Sequence, residues 1–222
     1  MLYVTGDLHG DFDRFNAPAV KKLRSSDTLA ICGDFGFVWN GGKEEEKLLK
    51  KIGKRRHDTV FVEGCHDNYS LLKEYPIVAY RGGKARKISG NLYQLLRGEI
   101  YEIGGKTLFA FGGGDSGELS LDSPMWQPEE QPSEEEQQHG VDSLKARHGK
   151  VDFILTHDAP ASIKHFLNLE DNEESTIHLY LDYIAKHCDF EKWFFGRYHL
   201  DKVIPPRYAA LFKDTIPAES RP

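Results

Sequence analysis

The chain contains no apolar run near the roughly 20 residues that a membrane-spanning helix needs. Met1-Leu-Tyr-Val-Thr runs straight into the first motif, so no charged-then-apolar leader is expected. Cysteine is scarce: Cys32, Cys65 and Cys188 stand alone among 222 residues, odd in number and without a CxxC pair. A disulfide framework is therefore not expected, and a cytoplasmic location is expected, with no membrane partner. Cations are outnumbered, 29 Lys and Arg against 35 Asp and Glu, for a formal net charge of -6. No basic stripe offsets this, and nucleic-acid binding leans on phosphate neutralisation, so a nucleic-acid partner is not expected. There is no internal repeat.

What is present is enough apolar content, 39%, for one substantial core, and residues 1–222 are expected to form a single domain. Short β-rich runs bounded by Gly, Asp or Asn predict strands at 2–5, 28–32, 59–62, 99–103, 107–111, 152–156 and 193–195. Several are continuously apolar, as in strands buried on both faces. Residues 101–111 read as a hairpin closed on Gly104-Gly105. Helix signals fall between the strands. Thr176–Cys188 sets Ile177, Tyr180, Leu181, Ile184 and Cys188 on one face, Ser133 and Glu136 form a capping-box pattern, and Asn68 reads as the cap of Tyr69–Glu74. Lys43–Ile52 reads as a charged surface helix. This alternation predicts layered α/β structure with a mixed sheet. Asp115–Gly140 reads as a solvated loop and helix, with a flap as the sharper alternative.

Metal-capable side chains end the predicted strands: Asp7-Leu8-His9, Gly33-Asp34, Gly64-Cys65-His66-Asp67, Thr156-His157 and Gly196-Arg197-Tyr198-His199. In an extended segment residues i and i+2 share a side, so Asp7 and His9 can face one ion. Carboxylate oxygens with imidazoles suit Mn, Fe or Zn better than Ca. His66 beside Asp67 reads as an acid with its orienting partner. Open α/β sheets bind ligands beyond the carboxyl ends of their strands, where all these blocks fall. His57, His139, His148, His165, His178 and His187 read as surface or helix residues without a role, and Tyr198 as packing.

The ordered set of blocks resembles the calcineurin-like metallophosphoesterases over nearly the whole chain. The resemblance implies a four-layer αββα sandwich with two mixed β-sheets and a two-metal site at the strand ends. It implies Asp7, His9, Asp34 and His199 as ligands of a first divalent transition ion. Asp34 and His157 would serve a second, together with an Asn and a His at the positions of Cys65 and Arg197. His66 matches the leaving-group acid, with Asp67 beside it. The implied function is metal-dependent hydrolysis of a phosphate ester, with a diester favoured. The Asp-Arg-Gly run of the protein phosphatases is absent from Phe35-Gly-Phe-Val-Trp-Asn-Gly-Gly.

The two departures fall on the same ion. A guanidinium offers only donors and stays protonated, so Arg197 cannot ligate a cation. Cys65 can ligate as thiolate, though its sulfur reaches less far than an Asn oxygen. A tight first metal, a weak second and Arg197 as a bidentate phosphate clamp are therefore expected. The alternative is a phosphate- or nucleotide-binding sensor with negligible turnover.

Overall fold

Each motif block follows a strand too short and too apolar to survive except inside a layered core. The computed structural model describes residues 1–116, 126–169 and 175–220. Its elements run β1 (Leu2–Thr5), α1 (Pro18–Lys21), β2 (Thr28–Ile31), α2 (Lys43–Gly53), β3 (Asp58–Phe61), α3 (Tyr69–Glu74), β4 (Ile77–Tyr80), β5 (Gly83–Ser89), β6 (Leu92–Leu95), β7 (Glu99–Ile103) and β8 (Lys106–Phe111). They continue with α4 (Glu134–Ala146), β9 (Phe153–Thr156), α5 (Ala161–Phe166), α6 (Thr176–His187), β10 (Lys192–Phe195), β11 (Lys202–Ile204), β12 (Tyr208–Ala210) and β13 (Thr215–Pro217).

Two mixed sheets result. One has the order β13-β1-β2-β3-β6-β5-β4, the other β11-β12-β10-β9-β8-β7. In the first, β1, β2, β3 and β6 are parallel; in the second, β8, β9, β10 and β12 are. Antiparallel strands close the edges of both sheets. Three apolar clusters define the layers. Val4, Ala30, Val60 and Leu95 of the first sheet meet Leu108, Phe153, Leu155 and Phe194 of the second. Phe109, Ile154, Trp193 and Phe195 face the helices α4 and α6 through Leu144, Ile177, Leu181 and Ile184. Leu29, Ile31 and Phe61 face α2 and α3 through Leu49, Ile52 and Leu72. The fold is thus the four-layer αββα sandwich expected. Each side chain such as Phe153 or Phe194, almost fully buried between the sheets, contributes about 1.5–3 kcal/mol.

Local readings fare well. Ser133 and Glu136 form the capping box, and Asn68 Oδ1 accepts from the Leu71 amide at 3.0 Å. The hairpin β7–β8 turns on Gly104-Gly105 as read. Phe35 and Phe37 are core residues, with Phe35 stacked on Phe61. Of the stretch 115–140, residues 117–125 lie outside the described residues. The adjoining Pro128–Glu130 turn packs against the protein, burying the Glu130 side chain. Among the described residues no helix is long and apolar enough to cross a membrane.

His57 corrects one surface reading: it is 2% exposed, and its Nε2 has no hydrogen-bond partner. Burial, reinforced by Arg55 and Arg56, lowers its pKa to about 4. The unfolded chain, with a value near ~6.5, binds that proton more readily. Stability from this group is therefore whole above about pH 6.5, drains away as pH falls to about 4, and is level below. The loss should be on the order of 3 kcal/mol. Urea unfolding of wild type and His57→Gln at several pH values between these limits should show a shallower slope in the variant. Parallel slopes would refute the assignment.

Candidate metal centre

The parallel strands β1, β2 and β3 of one sheet and β9 and β10 of the other all end on one edge. The side chains that follow them converge there. His9 Nε2 lies 2.9 Å from His199 Nε2 and 3.7 Å from Asp34 Oδ2. His199 Nε2 is 3.4 Å from Asp7 Oδ2. His157 reaches both carboxylates, Nδ1 to Asp7 Oδ1 and Nε2 to Asp34 Oδ1, each at 3.4 Å. Three sets of ligand atoms each fall within 4.8 Å of one another: Asp7, His9 and His199; His9, Asp34 and His66; Asp7, Asp34 and His157. Asp7, Asp34 and His157 are buried, whereas His9, His66 and His199 face solvent. Buried Asp and His clusters of this kind can hold a metal ion.

The backbone is bent to make this convergence. The amides of Leu8 and His9 both donate to the Asp34 carbonyl, at 3.0 and 2.9 Å. Among the described residues seven non-glycine positions have positive φ, and four of them are His9, Asp34, Arg197 and His199. Each such residue costs on the order of 1–3 kcal/mol, and strain of this sort persists where surrounding structure enforces it. Two glycines leave room for the acids. A Cβ at Gly196 would collide with Asp7 Oδ1 and the Cys32 carbonyl, and one at Gly64 with Asp34.

The donor set fits a cation. His157 Nδ1 faces the Cys32 carbonyl at 2.9 Å, an acceptor that requires the proton on Nδ1. That leaves Nε2 as a lone pair, and among buried atoms His157 Nε2 and Asp7 Oδ2 have no hydrogen-bond partner. With protein groups alone, burial works against a charged His157, but Asp34 and Asp7 outweigh it and raise its pKa well above the usual value. Burial likewise opposes charge on Asp34, and His157 and His66 overcome it, holding the carboxyl well below the ordinary range. Both shifts say that a positive charge, proton or metal, belongs between these groups.

His66 and Asp67 are not a pair. His66 Nδ1 bonds Asp34 Oδ2 at 2.9 Å, and its backbone amide donates to Asp34 Oδ1 at 2.7 Å. Asp67 is wholly buried and accepts from the amides of Phe35, Gly36 and Gly64. It ties two motif loops together, and burial beside Asp34 pushes its pKa up to about 7. The orienting carboxylate of His66 is therefore Asp34, whose bond raises the imidazole pKa against the effect of burial. Cys65 belongs to none of the three ligand sets. It is buried, and burial pushes its thiol up, away from the thiolate a metal would want. Arg197 lies close enough to Cys65 and Asp34 to feel both, and its backbone amide donates to Asp7 Oδ1 at 3.2 Å.

Several residues of the site give little sign of it in the sequence. Asp158, wholly buried, takes hydrogen bonds from the Tyr198 hydroxyl and from the Asp115 amide at 3.2 Å, and lies 3.1 Å from His178 Nε2. Tyr198 and His178, read as packing and as a helix residue, are both polar partners here. Glu130 places its carboxyl against the Ser116 hydroxyl and the Cys65 thiol. A buried carboxylate next to a ligand candidate, in Thr156-His157-Asp158, is the one signal that sequence offered. The amides of Gly113 and Gly114 donate to the carbonyls of Glu63 and Glu130.

No family model matches the sequence, and no curated protein matches it. Among solved structures, the protein is similar to a putative 5'-nucleotidase from Staphylococcus aureus in complex with alpha-ketoglutarate, at 16% identity and a TM-score of 0.48. The match covers 96% of this chain and 48% of that one, so the chain spans about half the length of that protein. A protein of unknown function from Aquifex aeolicus is similar at 18% identity and a TM-score of 0.33, over 71% of this chain and 80% of that one.

Proposed function

We propose that the chain is a metal-dependent phosphoesterase of the calcineurin-like type, acting on phosphate diesters. The observation that carries this is the pair of buried carboxylates, Asp7 and Asp34, meeting the imidazoles of His9, His157 and His199 with a carboxylate oxygen and a ring nitrogen left unpartnered. Asp7, His9, Asp34 and His199 would hold one divalent transition ion, Mn, Fe or Zn. Bound there, the ion supplies Lewis acidity and lowers the pKa of water near neutrality.

The chain's own groups do the rest. His66, raised in pKa by Asp34, keeps a proton to give to the leaving alkoxide, while its partner sets the ring's direction. Arg197 stands where a second ion would need a neutral ligand, and its fixed charge opposes a cation there. The guanidinium instead pairs with phosphate oxygens. His157 remains as a weak half-site, with the Cys65 thiol beside its ring held protonated by burial. Asp67 keeps the loops that carry Asp34 and His66 in register.

Hydrolysis of bis(p-nitrophenyl) phosphate with Mn, Fe and Zn, read beside metal content per chain, tests the proposal. Turnover with at least one metal is expected, with one ion held tightly. Arg197→His should raise occupancy toward two ions, and an unchanged count would remove Arg197 from the second position. Silence with every metal sinks the hydrolase. Saturable nucleotide binding in that case would leave the sensor reading, which the lost second-site ligands favour.

A further inference from the structure

The Arg197 side chain is not left to find phosphate by itself. Its Nη2 donates to the Asp115 carbonyl, and its Nε lies 3.9 Å from Asp158 Oδ2. Asp158 is held from other sides by the Tyr198 hydroxyl, by the Asp115 amide and by His178 on α6. The tautomer of His178 decides the charge of this group. Ser175 presents its backbone amide to His178 Nδ1 at 3.2 Å, and its hydroxyl lies 3.1 Å from the same nitrogen. Nδ1 is thus an acceptor, and the proton sits on Nε2, facing Asp158. A neutral imidazole does not cancel the Asp158 carboxylate. A wholly buried negative charge needs a cation partner, and Arg197 offers one at 3.9 Å. All of this borders a cavity of about 270 Å³ that Arg197, Asp158, His178 and Tyr198 help to line.

We infer that Asp158, braced by Tyr198 and His178, is a positioning residue that fixes the Arg197 guanidinium at the metal centre for a phosphate oxygen. The inference rests on the phosphoesterase reading above. A flexible arginine loses rotamer freedom when it binds an anion. Tethering the side chain beforehand removes that cost. Asp158 touches neither substrate nor metal in this account and acts through Arg197 alone.

The test is a double-mutant cycle on the full chain, with inorganic phosphate as probe. Manganese uptake by the wild type is measured first by calorimetry, then phosphate binding to the manganese-loaded protein. Asp158→Asn should weaken phosphate binding about tenfold, as loss of an orienting partner typically does, and leave manganese uptake unchanged. Arg197→Gln should weaken phosphate by about tenfold or more. The double variant should bind like Arg197→Gln alone, because Asp158 has nothing left to position. In the diester assay Asp158→Asn should act on KM more than on kcat. Tyr198→Phe, which keeps the ring and drops one brace, gives a second cycle that decides alone should Asp158→Asn not fold. Its effect should vanish in the Arg197→Gln background. Additive losses in the cycle, or unaltered phosphate affinity, overturn the positioning role while the wild type still binds metal and phosphate. A wild type that takes up neither overturns the phosphoesterase reading itself, and the positioning role with it.

Discussion

Asp34→Asn should cost at least about 100-fold in metal affinity and bring diester hydrolysis down by about a thousandfold or more, some 4 kcal/mol of barrier. Asp34 takes part in two of the three ligand sets and is the residue on which the imidazoles converge: His66 at 2.9 Å, His157 at 3.4 Å and His9 at 3.7 Å. Its Oδ1 also accepts from the His66 amide at 2.7 Å. An asparagine offers one oxygen where the carboxylate offered two. If that oxygen stays with the His66 amide, the NH₂ group faces His66 Nδ1, and if it turns over, the amides oppose each other. Either way the negative charge that draws a cation is gone. His66 should lose its raised pKa in the same variant, since the bond to Asp34 is the largest cause of the shift. Calorimetric titration with manganese, run beside a thermal melt to show the fold intact, checks the result. Wild-type affinity in a folded Asp34→Asn protein would dismiss Asp34 as a ligand and the metal centre with it.

The sequence made the central strands legible because they are apolar on both faces and end in residues that have no business inside a core. β1, β2, β3, β9 and β10 were read within about a residue, together with the ligand candidates behind them. β4, β5 and β6 were missed, the first two for the opposite reason. β5, Gly-Lys-Ala-Arg-Lys-Ile-Ser, alternates buried with exposed positions and looks polar, and β4 lies at the sheet edge with Ile77 in solvent. β11, β12 and β13 have 3 residues each, too few to show a period. Partnerships were harder than positions. His66 was given its neighbour Asp67 because adjacency is visible in a sequence, whereas Asp34, 32 residues away, is not. Adjacent residues on a turn point apart, and here Asp67 turns inward to backbone amides. Asp158 and His178 meet from different elements for the same reason. His57, which has charged neighbours in the sequence, is buried at the position just before β3.

Arg97→Met should destabilise the protein by about 3–5 kcal/mol, because it strands a buried charge. The Arg97 and Glu63 side chains are 5% and 4% exposed and meet at 2.6 Å. Arg97 also reaches Glu136 Oε2, in the first turn of α4, at 2.8 Å, and the Glu129 carbonyl at 2.7 Å. It therefore fastens the Pro128–Glu130 turn and the start of α4 to the end of β3, just before the Gly64 loop. Methionine fills much of the space but leaves Glu63 with Gln94 Nε2, at 2.8 Å, as its remaining side-chain donor. Set against a total stability of about 5–15 kcal/mol, the loss is large, and the melting temperature should fall by roughly 10 °C or more. Arg97→Met combined with Glu63→Gln should recover a good part of it, since removing both charges is far cheaper than removing one. A pair no more stable than Arg97→Met alone would show that the cost lies in the lost ties to Glu136 and the Glu129 carbonyl instead. Binding would separate the two cases further. Glu130, carried by the same turn, packs on Cys65, so loosening the turn should disturb Cys65 and phosphate affinity even where Glu63→Gln restores the melt.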